Sequence, residues 1–427
     1  MKLLLSTVMS VAITTVDLDS PSETLSATPV VNIKSSETVL PLPRRRQAAT
    51  TPAYSVVKFA LMTALLLNGY FLLNGYFGSG FFITPFSGTE TSQVMESTTK
   101  AITTQIKIGN QSHPHLDPEV YRRRDGCDLS EFVRQFKPEE LEVNCNNMHE
   151  VKRGKLLGSG WWREVYEGDW HGRKVAFSVV KEDRLAEKNL LQDTTQTAAV
   201  LFQLRQAPNI VHLLGWCDTT IVLEKAGMTL KDHLRGGDEE ISTRQALAMA
   251  LDIAKGVAQL HTVPGGPLTH NDIKSDQFLI NEDGKVVLND LNQAQYTGIS
   301  PITNKKCKFR PYLRTSVLRS PEEKRKRPLG ESIDVYATAF VLWELRARGK
   351  PFRGRKKTRK RENKIIKGLR PGVNFMKDYP PAMKQLILQA WDGDRAKRPT
   401  ASEMVERIEI IIRDYDDAAT SKNETQF

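Results

Sequence analysis

The chain has 427 residues, 61 Lys plus Arg against 50 Asp plus Glu, and a formal net charge of +11. At 40 % hydrophobic and 26 % charged, the composition is that of a globular protein, which excludes a wholly disordered or fibrous chain. The length allows two or three domains, four Cys are too few for a disulfide scaffold, and the moderate, local basic excess does not indicate nucleic acid as a partner.

Residues 1–53 are rich in Ser, Thr, Val and Pro, show no helical period and contain Pro41-Leu42-Pro43-Arg44-Arg45-Arg46. They read as a disordered tail. Residues 59–77 then form 19 positions without a charge, close to the length needed for a hydrocarbon core of about 30 Å. Tyr70, Tyr76, Phe77, Phe81 and Phe82 cluster toward the end of this stretch, as an interfacial aromatic belt does. The expectation is a transmembrane segment over 54–83. Lys58 and the Arg44–Arg46 triplet precede it and no basic residue follows until Lys100, so the reading is a type II orientation with the C-terminal part luminal. A competing reading takes residues 1–16 as a weak signal peptide, which would reverse the topology.

Residues 84–150 read as a stalk. It carries one glycosylation triplet, Asn110-Gln111-Ser112, meaningful only on a luminal side. Cys127 and Cys145 frame a short helix expected around 129–136; in an oxidising lumen they could pair with each other, and in the cytosol they would be free thiols.

From Val151 short strands come first and long helices later. Residues 155–168 read as strand, Gly-containing turn and strand, where Gly158 and Gly160 let the backbone approach something bulky such as a phosphate chain. A third strand is expected over 174–180. Residues 245–261 form an amphipathic helix with apolar positions Leu247, Ala250, Leu251, Ile253, Ala254, Val257 and Leu260. Asp272 and Asp290, 18 residues apart, each follow a short apolar stretch. Paired acids so placed suit metal-bound phosphate and a hydroxyl-activating base.

Across residues 151–412 the sequence resembles the protein kinase family. Gly158-x-Gly160 with Val165 is similar to the Gly-rich loop, Pro208-Asn209-Ile210-Val211 to the approach to strands four and five, and His270-Asn271-Asp272-Ile273-Lys274 to the catalytic loop. Asp290-Leu291-Asn292 resembles the metal-binding tripeptide, Ser320-Pro321-Glu322 the motif that closes the activation segment, and Asp334, Trp391 and Arg398-Pro399-Thr400 the landmarks of the larger lobe. The resemblance implies an α+β, two-lobed fold over 151–415, with a sheet lobe to about 223, and a short tail over 416–427. It implies ATP and Mg²⁺ as cofactors. Asp272 would accept the hydroxyl proton and Lys274 would sit on the transferring phosphate. Asp290 and Gln277 would hold metal, while Gly158, Gly160, Arg163, Val165, Ala176 and Glu224 would surround the nucleotide. Glu322 and Arg398 would brace the larger lobe as a buried pair.

Four positions depart from that pattern. Ser178 stands where the strand-three Lys is expected, and Lys181, at an odd offset, would face the other side of the strand. Arg163 replaces the third Gly of the loop and could return the missing charge, as in the with-no-lysine kinases. Gln277 replaces an Asn, and the helix Glu expected near Ala198 is absent. This set resembles the protein O-mannose kinase branch and related secretory-pathway kinases. His270-Asn271-Asp272 also lacks the Arg that clamps a phosphorylated activation loop, so activity without such phosphorylation is expected.

The implied function is ATP-dependent phosphorylation of Ser or Thr hydroxyls, on a protein or glycoprotein substrate, by an enzyme tethered to an ER or Golgi membrane through residues 59–77. The alternatives are a glycan kinase and a membrane-tethered pseudokinase scaffold. The basic run over 353–361 reads as a solvated loop or an anionic docking patch. Cys217 reads as core, Cys307 as a disulfide partner or exposed thiol, and His261 and His270 as structural. Trp161 and Trp162 at the loop tip pack over the nucleotide or grip a ligand.

Overall fold

The computed structural model describes residues 114–424 apart from 188, 237–239, 312–315, 350, 353–358 and 377, all within one compact unit. The tail, the signal-peptide and transmembrane readings, Asn110 and most of the 353–361 run lie outside the described residues. Among the described residues, no helix is long and apolar enough to cross a membrane.

The first lobe is built on β1 (Lys152–Ser159), β2 (Arg163–Trp170), β3 (Arg173–Val180), β4 (Leu213–Cys217) and β5 (Thr220–Glu224). They form one antiparallel sheet in the order β1-β2-β3-β5-β4. Alternation along β3 divides its residues between two faces. Val175 lies with Trp170 and Val222 in a small outer core. Ala176 and Ser178 lie on the other face, opposite Glu167 and Val165 of β2. A helix, α2 (Leu190–Gln203), packs beside β4 and β5 with Ala198, Ala199 and Phe202 buried.

The larger lobe is helical. Its central helix α4 (Thr243–His261) starts at a capping box in which Ser242 and Gln245 satisfy each other's backbone N–H groups. Apolar residues at helical spacing then bury one face: Ala246, Leu247, Ala250, Ile253, Ala254, Val257 and Leu260. Gly256 on α4 is needed for close approach, because a Cβ there would stand 2.8 Å from the Asn209 carbonyl oxygen. Helix α6 (Ser332–Ala347) is buried nearly throughout its first three turns, and α8 (Pro381–Ala390) and α9 (Ala401–Glu424) pack around it and α4. Between the lobes, Leu288 of β9 (Val286–Leu288) exchanges backbone hydrogen bonds with Asn209 and Val211, which ties the strand before Asp290 to the entry of β4.

Residues 114–150, read from the sequence as part of a stalk, are folded against both lobes. Val143 bridges the free edge of β4 at Gly215, donating to the Leu214 carbonyl and accepting from Trp216 N–H. The short helix α1 (Ser130–Arg134) and Phe136 after it cover the back of α2, with Phe136 edge-on to Phe202 and Trp216. Neither reading of Cys127 and Cys145, as a pair with each other or as two free thiols, matches the structure. Cys127 is bonded to Cys307 of the larger lobe and Cys145 to Cys217 of β4, so the segment is cross-linked to each lobe separately. Cys217 is therefore not a simple core residue. Nearness in sequence does not decide the pairing, because the strap lays Cys145 beside the sheet and Cys127 beside the activation segment.

Candidate active site

The site is assembled at the ends of short strands. After β7 (Leu268–Thr269) the chain turns sharply, with Asn271 at φ +67. Buried Asp334 of α6 enforces that turn: its two carboxylate oxygens accept from His270 N–H at 2.6 Å and Asn271 N–H at 3.0 Å. His261 adds a contact to the same carboxylate at 3.1 Å, and His270 Nε2 meets the Asn289 carbonyl oxygen at 2.9 Å. Both histidines are structural, as expected.

This frame projects Asp272. Its Oδ2 accepts from Lys274 Nζ at 2.8 Å and from Gln277 Nε2 at 3.3 Å. The same amide donates to Asp290 Oδ2 at 2.8 Å. Asp290 follows β9 in the left-handed region, at φ +62, and that strained turn aims its carboxylate back at the catalytic loop. The four predicted residues Asp272, Lys274, Gln277 and Asp290 thus form one hydrogen-bonded group.

Above them, Gly158 opposes Val165 in the β1–β2 pair and Gly160 N–H closes the turn onto Arg163 O at 2.8 Å. A Cβ at Gly158 would meet nothing within 4 Å, and one at Gly160 only the Arg163 carbonyl at 3.6 Å. The room over the sheet is therefore open and packing does not demand these glycines. Val165, Ala176 and Ser178 share the face that carries Arg163. Glu224 does not join them. It pairs with Val175 on the opposite face, and its carboxylate lies near Arg173 and His212. The residue on the cleft-side face is Leu223, opposite Ala176.

Arg163 occupies the space beside Ser178. Its Nη1 donates to the Ser178 carbonyl at 3.3 Å and the Thr219 carbonyl at 2.9 Å, and its Nη2 to Thr194 Oγ1 of α2 at 2.6 Å. Burial pulls the guanidinium down to about 10, with the negative charge of Asp290 opposing, so it stays protonated at neutral pH. All three partners are neutral. Lys181 lies past the end of β3, where its N–H donates to Trp162 O. Exposed Trp161 and neighbouring Trp162 take the stacked guanidinium of Arg184 at 4.8 and 5.6 Å.

Two groups escaped the sequence reading. One is Thr194, which receives Arg163 four residues before Ala198. The other is Arg319, whose guanidinium donates to Asp272 Oδ1 at 3.1 Å, the Asn271 carbonyl at 2.6 Å and Glu323 Oε1 at 2.8 Å. Only its place just before Ser320-Pro321-Glu322 and four before Glu323 could have signalled this. Below it, Arg398 forms the expected buried pair with Glu322, which the structure shows to be bidentate at 2.5 and 2.9 Å.

The family model for protein tyrosine and serine/threonine kinases matches residues 151–408, well over half of the chain. This chain belongs to the protein kinase family. The kinase is 33 % identical over 326 residues to probable serine/threonine-protein kinase roco7 of Dictyostelium discoideum, covering 73 % of this chain and 12 % of that one. It is 30 % identical over 277 residues to probable serine/threonine-protein kinase drkC of the same organism, covering 64 % and 36 %. With serine/threonine-protein kinase STY46 of Arabidopsis thaliana it shares 24 % over 329 residues, covering 75 % and 54 %. The kinase therefore spans between about an eighth and about half of the length of these relatives.

Proposed function

We propose that this chain is an ATP- and Mg²⁺-dependent kinase of Ser or Thr hydroxyls in which Arg163 supplies the charge lost with the strand-three Lys. The observation that carries the reading is the single hydrogen-bonded group of Asp272, Lys274, Gln277 and Asp290, because phosphoryl transfer is mostly positioning and charge neutralisation. A scaffold has no physical need for all four.

The donors fit Mg²⁺, which takes hard oxygen ligands, one or two carboxylates and substrate phosphates. Asp290 supplies a carboxylate, and the Gln277 amide, turned end for end, presents an oxygen in place of its N–H₂. When bound, the metal neutralises phosphate charge. The protein's own residues do the remainder. Asp272 accepts the proton of the acceptor hydroxyl through an oxygen held by Lys274 or Arg319, and Lys274 balances the charge of the transferring group. Arg163 is a largely desolvated cation with neutral partners and one nearby carboxylate. A buried charge without a paired counter-ion is costly, and a phosphate chain over Gly158 and Gly160 would supply one.

A membrane tether through residues 59–77, with the kinase domain luminal, belongs to the same proposal. The two disulfides support it, since such bonds persist in oxidising compartments. The test is phosphate transfer from labelled ATP by the detergent-solubilised full chain, offered mixed protein and a phosphorylatable glycan, with Asp272→Asn as control. Label on protein that vanishes in the control is expected. Label on glycan alone selects the glycan kinase, and Mg-ATP binding without transfer selects the pseudokinase.

A further inference from the structure

We infer that the exposed cations flanking the Phe309–Leu329 bridge form a docking surface for an acidic polypeptide segment that carries the acceptor hydroxyl. This rests on the kinase reading and adds the class of its acceptor.

Residues 300–331 hold ten Lys and Arg and three acids. Each acid is already taken: Glu322 by buried Arg398, Glu323 by Arg319 and Glu331 by Lys306. Lys305, Lys308, Arg310, Arg325, Lys326 and Arg327 are exposed, and none of the six has an acidic partner within ion-pair distance among the described residues. Two stretches distant in sequence are brought side by side. Phe309 and Leu329 exchange backbone hydrogen bonds at 2.9 and 3.4 Å, which sets Lys308 and Arg310 against the turn that carries Arg325, Lys326 and Arg327. Arg395 adds a further cation by donating to the Pro328 carbonyl at 2.9 Å.

The surface is preformed and aligned with the site. The Cys127–Cys307 bond and the Lys306–Glu331 pair pin the first strip. The second follows α5 (Pro321–Lys324), directly after Arg319, which touches Asp272. Arg325 lies six positions after Arg319, a span that extended chain covers in about 20 Å at most. An acceptor seated at Asp272 thus reaches the cations with residues up to about six positions away. Alignment with Asp272 favours a polypeptide, because a flat anionic membrane gains nothing from it. Focused positive potential raises both the affinity and the encounter rate of acidic partners.

The test measures binding of the full chain to two fluorescent peptides with the same Ser acceptor, one flanked by Glu and one by Gln. About tenfold tighter binding of the Glu peptide at 50 mM salt is expected, largely lost at 300 mM as screening shortens to within a few ångströms of contact. Arg325→Glu with Lys326→Glu and Arg327→Glu should bring the two peptides to parity, and Lys308→Glu with Arg310→Glu should reproduce this from the other strip. Equal binding of both peptides by the unaltered chain overturns the proposal. So does tighter binding of anionic phosphatidylserine vesicles than of the Glu peptide. Phosphate transfer to both peptides with equal KM refutes docking while the kinase reading stands. Selective binding without transfer refutes the kinase reading while docking stands.

Discussion

Arg319 links the Asp272 carboxylate to Glu323 just after the activation segment, and Arg319→Ala tests that link. The guanidinium is 14 % exposed, and it sits between Asp272, also 14 % exposed, and Glu323, 6 % exposed. Removing one partner of such a buried pair costs about 3–5 kcal/mol. Glu323 keeps the Ser320 N–H at 2.7 Å, which favours the lower end, about 3 kcal/mol. At roughly 2 °C per kcal/mol for a body of this size, thermal unfolding should fall by about 6 °C at pH 8. Burial already raises the Glu323 carboxyl, and Arg319 is the largest opposing influence. Its loss raises that carboxyl further, so the folded variant binds a proton over a wider pH range than the unfolded chain. Stability then increases as pH falls, and the deficit should shrink between pH 8 and 5.5. Loss of a hydrogen bond from a charged donor to Asp272, worth about 1.5–3 kcal/mol, should lower kcat about ten- to hundredfold. Unfolding scans across pH with steady-state kinetics provide the check. An unchanged kcat together with a deficit independent of pH would falsify the link.

Arg163→Met should weaken Mg-ATP binding at least tenfold by calorimetry, whereas Lys181→Ala, past the strand end, should change it less than twofold. Glu344 of α6 is raised to about 7 by burial, against a lowering hydrogen bond from Ser275. The folded state therefore holds an extra proton between about pH 4.5 and 7, and stability falls with rising pH across that window by about 3 kcal/mol; Glu344→Gln should flatten the profile in denaturant titrations. Cys127→Ser, which opens a cross-link spanning 180 residues, should cost about 2–4 kcal/mol, and a reductant should lower the melting temperature of the parent but barely that of the chain with both Cys127→Ser and Cys145→Ser, which holds neither bond. Gly215→Ala places a Cβ 2.4 Å from Val143 Cβ and should destabilise by about 1–3 kcal/mol through overpacking, with limited proteolysis around residue 143 as the readout.

Short-range grammar carried most of the fold. The apolar spacing of α4 and the Asp272 and Asp290 positions follow from local sequence, and the structure starts α4 two residues earlier than read, behind the Ser242–Gln245 cap, and gathers the two acids through Gln277. What could not be read depends on distant contact. Glu224 illustrates a register effect: one residue along β5 moves a side chain to the other face, so Leu223, not Glu224, borders Ala176. Thr194 illustrates a substitution of chemistry: a hydroxyl leaves no charge pattern, and only the approach of Arg163 reveals its part. The disulfide partners required the path of the strap, which places Cys145 beside β4 and Cys127 beside Cys307.

The strap and the Arg163–Thr194 hydrogen bond bear on the same element. With Ser178 on β3 and no Glu at Ala198, the side-chain hydrogen bond from the sheet to α2 among the described residues is Arg163–Thr194, 2.6 Å long but to a neutral acceptor, beside the apolar packing of α2 on β4 and β5. Such a bond holds less firmly than a charge-paired one. The opposite side of α2 is covered by Phe132, Val133 and Phe136, which join Phe202 in the main core. Two disulfides fix that cover, one to each lobe. A helix gripped from behind by apolar contacts needs no ion pair in front to hold its place. On the proposed reading, the covalent strap would hold α2 in place without an ion pair to the sheet, and Arg163, whose hydrogen-bond partners are all neutral, would keep its charge for a phosphate.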